Sequence, residues 1–294
     1  MTESPNPSIR TVGVVGAGTM GHGIAQALVR QGYSVVLHDL SPKILKGAVE
    51  KIARGLGREV EKGRLKEEEK SQALSRLKTA PRLEELAPVD FVLEAVPEIF
   101  ELKAEVFRSL ETLPQPPRAE VVFASNTSSI SITQLAAQTR RPSGFVGMHF
   151  FNPVPAMKLV EIVSGLETSP ETVQAATDLA VSLGKSPIRV NDYPGFVSNR
   201  VLMPMINEAV FCLMEGVAEP RAIDGVMKLG MNHPMGPLEL ADLIGLDVCL
   251  DILKVLHEGF RDSKYRPCPL LEKMVNAGWL GRKTGRGFYT YPQA

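Results

Sequence analysis

Cysteine is scarce in this chain: three among 294 residues (Cys212, Cys249 and Cys268), with no CxxC pair. That excludes a disulfide framework and the paired-thiol metal and redox motifs, and it fits a reducing compartment with the three thiols as packing residues. Net charge is missing too, with 33 Lys and Arg against 33 Asp and Glu. No bulk field draws the chain to nucleic acid or a membrane surface, so an anionic ligand would have to be met by local groups. No apolar run approaches the roughly 20 residues of a membrane span. The leader MTESPNPSIR has neither the apolar core of a secretory signal nor the arginines of a transit helix, so a cytoplasmic protein is expected. No His/Cys/Asp grouping has the spacing of metal ligands, and no metal is expected. What is present is an ordinary globular composition, 44% hydrophobic and 22% charged, in a chain long enough for two domains.

The first half alternates apolar, β-branched runs with helical spacing. Residues 11–16 read as a strand that leads into GAGTMGHGIAQALVRQG, whose apolar positions Ile24, Ala25, Leu28 and Val29 recur at helical intervals before Gly32. Residues 34–39 form the next strand, which completes a βαβ unit. Further buried strands are expected at 90–96, 121–125 and 144–149, with a weak one at 77–80. The implied fold class is α/β: a Rossmann-type, doubly wound, mostly parallel sheet, followed by an all-α C-terminal domain. Residues 41–77, rich in charge and helix formers, are read as a helical pair inserted off the sheet. After residue 190 the texture becomes helical and Met-rich, without strands until GFYTY. The expected domains are therefore 1–190 and 191–294. A long, largely buried helix is expected at 199–216, with shorter ones at 223–229, 238–244, 248–257 and 269–277. Met203, Met205, Met214, Met227, Met231 and Met235 are read mostly as core.

Gly16, Gly18 and Gly21 make a GxGxxG turn directly after a strand and opening a helix. The first glycine turns the chain, the second lets a pyrophosphate approach the backbone, and the third lets helix and strand pack. Thr19 and Met20, between the second and third glycines, belong to the same cofactor turn. Asp39, ending the second strand, can accept hydrogen bonds from an adenosine ribose and would repel a 2′-phosphate. No Arg follows it within LSPK, so NAD is favoured over NADP. Glu98 is read as the end of the fourth strand, DFVLEAVPE, with Lys103 in the first turn of the helix beyond it. In SNTSS, Ser128 or Ser129 is placed to cap a helix, while Asn126 and Ser128 could equally face the ligand cleft.

The most informative stretch is GFVGMHFFNPVPAMKLVEIVS. Two apolar runs flank a turn with Pro153 and Pro155, which reads as an antiparallel hairpin that brings Glu161 to His149. An imidazole held by a carboxylate can take a proton from an alcohol near neutral pH.

In order and spacing, GAGTMGHGIA, Asp39, EAVPE, SNTSS, GMHFFNPVPAMKLVEIV, PGFVSNR, HPMGPLELADLIGLD and GRKTGRGFY resemble the L-3-hydroxyacyl-CoA dehydrogenases. The likeness runs from about Thr11 to Tyr289 and is closest to the single-activity members acting on 3-hydroxybutyryl-CoA. It implies an NAD-dependent oxidation of a 3-hydroxyacyl-CoA, with acyl-CoA as substrate and a homodimer formed through the helical domain. His149 would be the general base, Glu161 its orienting partner, and Ser128 and Asn199 the partners of the reacting oxygen or the thioester carbonyl. Asp39, Glu98, Lys103, Asn126, Asn152 and Lys283 would touch the cofactor, and Lys62 would lie near the CoA moiety. Two other readings keep the same motifs. An L-gulonate dehydrogenase of the lambda-crystallin kind would have no use for the basic groups of the insertion, and a catalytically silent NAD-binding protein would bind NADH without turnover.

Overall fold

The computed structural model describes residues 9–292, so the leader reading falls mainly outside the described residues. Two compact units make up the chain, dividing between Asp192 and Tyr193.

In the first unit the elements run β1 (Thr11–Val15), α1 (Thr19–Arg30), β2 (Ser34–His38), α2 (Pro42–Glu61), α3 (Glu67–Ser75) and β3 (Leu77–Ala80). They continue through β4 (Phe91–Glu94), α4 (Phe100–Thr112), β5 (Val122–Ser125), α5 (Ile132–Ala136), β6 (Phe145–Phe150), β7 (Leu159–Ser164), α6 (Pro170–Ser182) and β8 (Ser186–Asn191). The strands form one eight-stranded sheet in the order β3-β2-β1-β4-β5-β6-β7-β8. Every neighbouring pair is parallel except β6 and β7. Alternate strand residues feed opposite faces. Val12, Val14, Leu37 and Met148 join Ile24 and Leu28 of α1 and Leu179 of α6 in one core cluster. On the opposite face, Phe107 of α4 meets the rings of Phe123 and Phe145 at 5.4 and 4.7 Å. Strand order reverses between β1 and β4, and in such sheets ligands bind at the carboxyl ends of the strands flanking that point.

The inserted pair is α2 and α3. Ser41 caps α2 and Pro42 opens it, while Leu45, Ala48, Ile52 and Leu56 lie on one stripe. That stripe is buried in the same cluster as α1, so α2 lies over α1 instead of projecting from the domain. Three strand expectations are corrected. β4 ends at Glu94, well short of Glu98, because the N–H of Val96 turns to Glu94's own carboxylate at 2.6 Å and Pro97 has none to offer. β8 was not foreseen: as an edge strand with mostly exposed side chains it has no apolar run to reveal it. GFYTY forms only isolated bridges at Arg286 and Thr290. The N–H groups of Phe288 and Tyr289 go instead to Asp242, each at 3.0 Å.

The second unit holds α7 (Ser198–Met214), α8 (Pro220–Gly230), α9 (Pro237–Ile244), α10 (Leu246–Phe260) and α11 (Pro269–Asn276). α7 is buried along one face only, through Asn199, Met203, Ile206, Asn207, Ala209 and Val210. Of the six methionines read as core, Met203 alone is buried, and Met231 is 62% exposed. A helical stripe wide enough for one core leaves the intervening apolar residues outside. Cys249 and Cys268 pack in this core, and burial, with Asp247 and Asp242 nearby, pushes the Cys249 thiol up to about 12.

Buried Asp224 ties three segments together. Its carboxylate accepts the N–H groups of Leu238 and Glu239, each at 2.9 Å, and the Tyr289 hydroxyl at 2.7 Å. The first two are orphan donors of the first turn of α9. A Cβ on Gly236 would collide with that carboxylate, which is why the helix is capped from α8 and not by its own residue. Replacing Asp224 by Ala strands the three donors, and a buried donor without a partner costs about 1–3 kcal/mol. The D224A chain is expected to lose about 3 kcal/mol in urea unfolding; an unchanged midpoint would show that the clamp contributes nothing.

Candidate active site

The glycine turn joins β1 to α1. Gly16 has φ +97, which only glycine adopts without strain, and a Cβ there would lie 2.7 Å from the Ala95 carbonyl in the loop after β4. A Cβ on Gly21 would overlap the Gly16 carbonyl oxygen, whereas one on Gly18 would meet nothing within 4 Å. Each glycine therefore has its own reason: backbone conformation, open approach and helix contact. Gly18 caps α1 with no side-chain hydrogen bond, and Thr19, exposed, and Met20, half-buried, begin the helix. The first N–H groups of α1 are thus left for an anion, and the helix dipole favours one there. Asp39 is held over the turn, its Oδ2 accepting the Ala17 N–H at 3.0 Å and its Oδ1 the Ser41 N–H at 2.9 Å. A carboxylate keeps further lone pairs for ribose hydroxyls. The arrangement fits a dinucleotide.

Glu98 stands at the edge of this area, its side chain 37% exposed, and organises the loop after β5. One oxygen, Oε1, accepts the Thr127 hydroxyl at 2.6 Å, the N–H groups of Ser128 and Ser129 at 2.8 and 3.0 Å, and the hydroxyls of Ser128 and Ser129 at 3.2 and 3.1 Å. Its other oxygen lies 3.2 Å from Lys103 Nζ. Burial pulls the Glu98 carboxyl upward, but the Lys103 charge and these donors outweigh it and hold the group below the usual carboxylate range. Lys103 is 1% exposed, so its ammonium faces the protein interior and reaches the edge through Glu98. Neither Ser128 nor Ser129 caps α5; Ser131 does, accepting the Gln134 N–H at 3.2 Å. Asn126 is buried, and its Oδ1 accepts the Phe150 N–H at 2.9 Å, linking the end of β5 to the end of β6.

His149 and Glu161 face each other directly in the antiparallel β6–β7 pair, as the hairpin reading expects. His149 Nδ1 lies 2.8 Å from Glu161 Oε2, and the two side chains are 9% and 3% exposed. A carboxylate only accepts, so Nδ1 carries the hydrogen and Nε2 of the neutral ring is the proton acceptor. The Phe151 ring lies 4.5 Å from the imidazole. Beyond it, exposed Asn152 opens a hairpin loop that two contacts hold. Lys185 Nζ donates to the carbonyls of Val154 and Met157, and burial lowers its pKa. Val154 rests on α1 at Gly23, where an added Cβ would lie 3.1 Å away.

The first unit thus gathers Gly16, Gly18, Gly21, Asp39, Glu98, Asn126, Ser128, His149 and Asn152 along the carboxyl ends of its strands, as the fold rule expects. Lys62 is exposed at the C-terminal end of α2. In the second unit, Asn199 is buried near the start of α7, entered by a turn at Gly195 with φ +72. Exposed Lys283 sits 2.6 Å from the Asp247 carboxylate near the start of α10. Sequence reasoning missed Glu94, Thr127 and Lys185. Glu94 lies in EAVPE, and a charged residue in a strand buried on both faces was the available signal. Among the described residues, no three His, Cys, Asp or Glu side chains are grouped to hold a metal ion, and no helix is long and apolar enough to cross a membrane.

Residues 11–193 match the profile of the 3-hydroxyacyl-CoA dehydrogenase NAD binding domain, and residues 195–291 match that family's C-terminal domain. The chain is 53% identical over 285 residues to a probable 3-hydroxybutyryl-CoA dehydrogenase of Bacillus subtilis, covering 97% of this chain and 98% of the relative. It is 55% identical to a protein of the same description from Deinococcus radiodurans, covering 95% and 99%. A crystal structure of (S)-3-hydroxybutyryl-CoA dehydrogenase from Ralstonia eutropha superimposes with a TM-score of 0.94 at 51% identity, covering 97% of this chain and 100% of that one.

Proposed function

The chain belongs to the 3-hydroxyacyl-CoA dehydrogenase family, and from that premise we propose that it interconverts short-chain (S)-3-hydroxyacyl-CoA, such as 3-hydroxybutyryl-CoA, and the 3-oxoacyl-CoA. The observation that carries the reading is the His149–Glu161 pair at 2.8 Å, at the carboxyl end of β6 in the same sheet whose β1 leads into a glycine turn suited to a dinucleotide. In the oxidative direction His149 Nε2 takes the proton of the C3 hydroxyl, and the C–O bond becomes a carbonyl as C3 gives up its hydride. Bound NAD supplies the acceptor for that hydride, so the products are 3-oxoacyl-CoA, NADH and a proton. Glu161 fixes the tautomer and stabilises the imidazolium that forms. Ser128, held by Glu98, hydrogen-bonds the reacting oxygen. Asp39 takes the adenosine ribose, the α1 N-terminus the pyrophosphate, and Glu98, Lys103, Asn126 and Asn152 form the remainder of the cofactor side in this unit. Through the family resemblance, Asn199 serves the substrate oxygen, Lys283 the cofactor and Lys62 the CoA moiety.

The cytoplasm is the compartment this reading favours. A homodimer through the second unit is part of the same proposal, supported by the apolar side chains Val226, Leu229 and Met231, which are 62%, 91% and 62% exposed on and beside α8. The test is NADH oxidation with acetoacetyl-CoA, compared with free acetoacetate and with NADPH. Turnover is expected with the thioester and NADH, with a preference of about tenfold or more over each alternative, a difference of about 1.4 kcal/mol. Equal rates with free acetoacetate would point to a hydroxy-acid dehydrogenase instead.

A further inference from the structure

Glu94, at the end of β4, is fully buried, and its side-chain bonds go to Val96, Lys103 and Ser125 and not to Ser128 or His149, yet both its oxygens are engaged. Oε1 accepts the Val96 N–H at 2.6 Å and Lys103 Nζ at 2.8 Å, and Oε2 accepts the Ser125 hydroxyl at 2.6 Å. Lys103 also donates to the Val96 carbonyl at 3.1 Å and pairs with Glu98 at 3.2 Å. Glu98 Oε1 collects Thr127, Ser128 and Ser129, and the Thr127 N–H returns to the Ser125 hydroxyl at 3.2 Å. The contacts close a ring from Glu94 through Lys103, Glu98, Thr127 and Ser125 back to Glu94, spanning the ends of two adjacent parallel strands. Asn126 lies inside that span, its N–H bonded to the Glu94 backbone carbonyl at 2.8 Å.

Stability alone does not call for such a ring. Removing a carboxylate and an ammonium from water is expensive, and apolar residues of similar volume usually serve a core as well or better. What apolar residues could not do is aim Glu98 at three consecutive residues of the β5 loop. We propose that Glu94 is a positioning residue, which sets the Ser128 hydroxyl for the reaction through Lys103, Glu98 and Ser125. The inference rests on the dehydrogenase reading, with Ser128 at the reacting oxygen.

The experiment is a double-mutant cycle on the full chain, read as kcat and KM for NADH oxidation by acetoacetyl-CoA. Glu94→Gln keeps the shape and removes the charge that holds Lys103. It is expected to lower kcat about tenfold with KM for acetoacetyl-CoA changed less than about threefold, because alignment and not ground-state binding is lost. In a Ser128→Ala background the same substitution is expected to change kcat by less than about twofold, since residues acting through one another are not additive. Equal losses in both backgrounds, or no loss in either, would overturn the proposal. If Glu94→Gln does not fold, Ser125→Ala, which cuts the ring without changing charge, decides by the same comparison, with an expected loss of about threefold. A wild-type chain inactive on acetoacetyl-CoA would remove the dehydrogenase reading and this inference together. A Ser128→Ala chain with unchanged kcat would remove only Ser128's part in the reaction, and with it this inference. Additive losses in an active enzyme would overturn this inference alone.

Discussion

Replacing His149 by Gln is expected to lower turnover of acetoacetyl-CoA by about 10²–10⁴-fold, the span that general acid–base catalysis usually supplies. NADH binding should survive. Glutamine is close in size and can keep a hydrogen bond to Glu161 Oε2, now 2.8 Å from the imidazole, so the hairpin has no reason to repack. What it lacks is a ring nitrogen with a lone pair to take the hydroxyl proton. Each tenfold loss corresponds to about 1.4 kcal/mol of barrier, so the effect sits well above any small displacement of the β6–β7 pair. Glu161→Gln should cost less, because the base remains and loses only its fixed tautomer and the stabilisation of its cation. Stopped-flow turnover beside an NADH fluorescence titration separates chemistry from binding. If H149Q kept wild-type turnover, the base would have to be another group.

The second large effect is expected at Gly21. An added Cβ would overlap the Gly16 carbonyl oxygen, and that carbonyl cannot withdraw: Gly16 sits at φ +97 with its Cα face against the Ala95 carbonyl. The strain must therefore move the start of α1, the part of the first unit proposed to take the cofactor phosphates. G21A is expected to lose about 1–3 kcal/mol of stability, as overpacked interiors do. NADH affinity should fall about tenfold or more, a change of about 1.4 kcal/mol. Gly18→Ala is the control, since its Cβ would find no atom within 4 Å. That variant should unfold like wild type and still bind NADH more weakly, because the methyl stands where the pyrophosphate approaches. Wild-type affinity in G21A would mean that α1 adjusts freely, against the contact argued here.

Both expectations concern features that local patterns revealed. The glycine turn depends on neighbours in the chain, and a strand, a tight turn and an amphipathic helix are each written in a few consecutive residues. The hairpin is similar: two apolar runs about a Pro-containing turn set a register in which His149 meets Glu161, since a slip of one residue would point one side chain to the opposite face. Glu98 was placed at the end of a strand that in fact stops at Glu94. That error has a tertiary cause, because the strand ends where Glu94's carboxylate captures the next N–H while Lys103 holds it from another element. β8 and GFYTY failed for related reasons. An edge strand needs only a neighbour's ladder, and a tail whose N–H groups meet a buried aspartate has no need of one.

The amino-acid order by itself determined the α/β class, the glycine turn, the His149–Glu161 pair and the helical second half, because hydrophobic periodicity and backbone sterics act over a few residues. Only the tertiary structure decided which charges serve the site from beneath it. Glu94, Lys103, Glu98 and Thr127 are spread over separate elements, and the hydrogen bonds among them exist only when parallel strands bring those ends side by side. Buried polar groups must find partners wherever the fold provides them, and that is a property of three-dimensional neighbours, not of spacing along the chain.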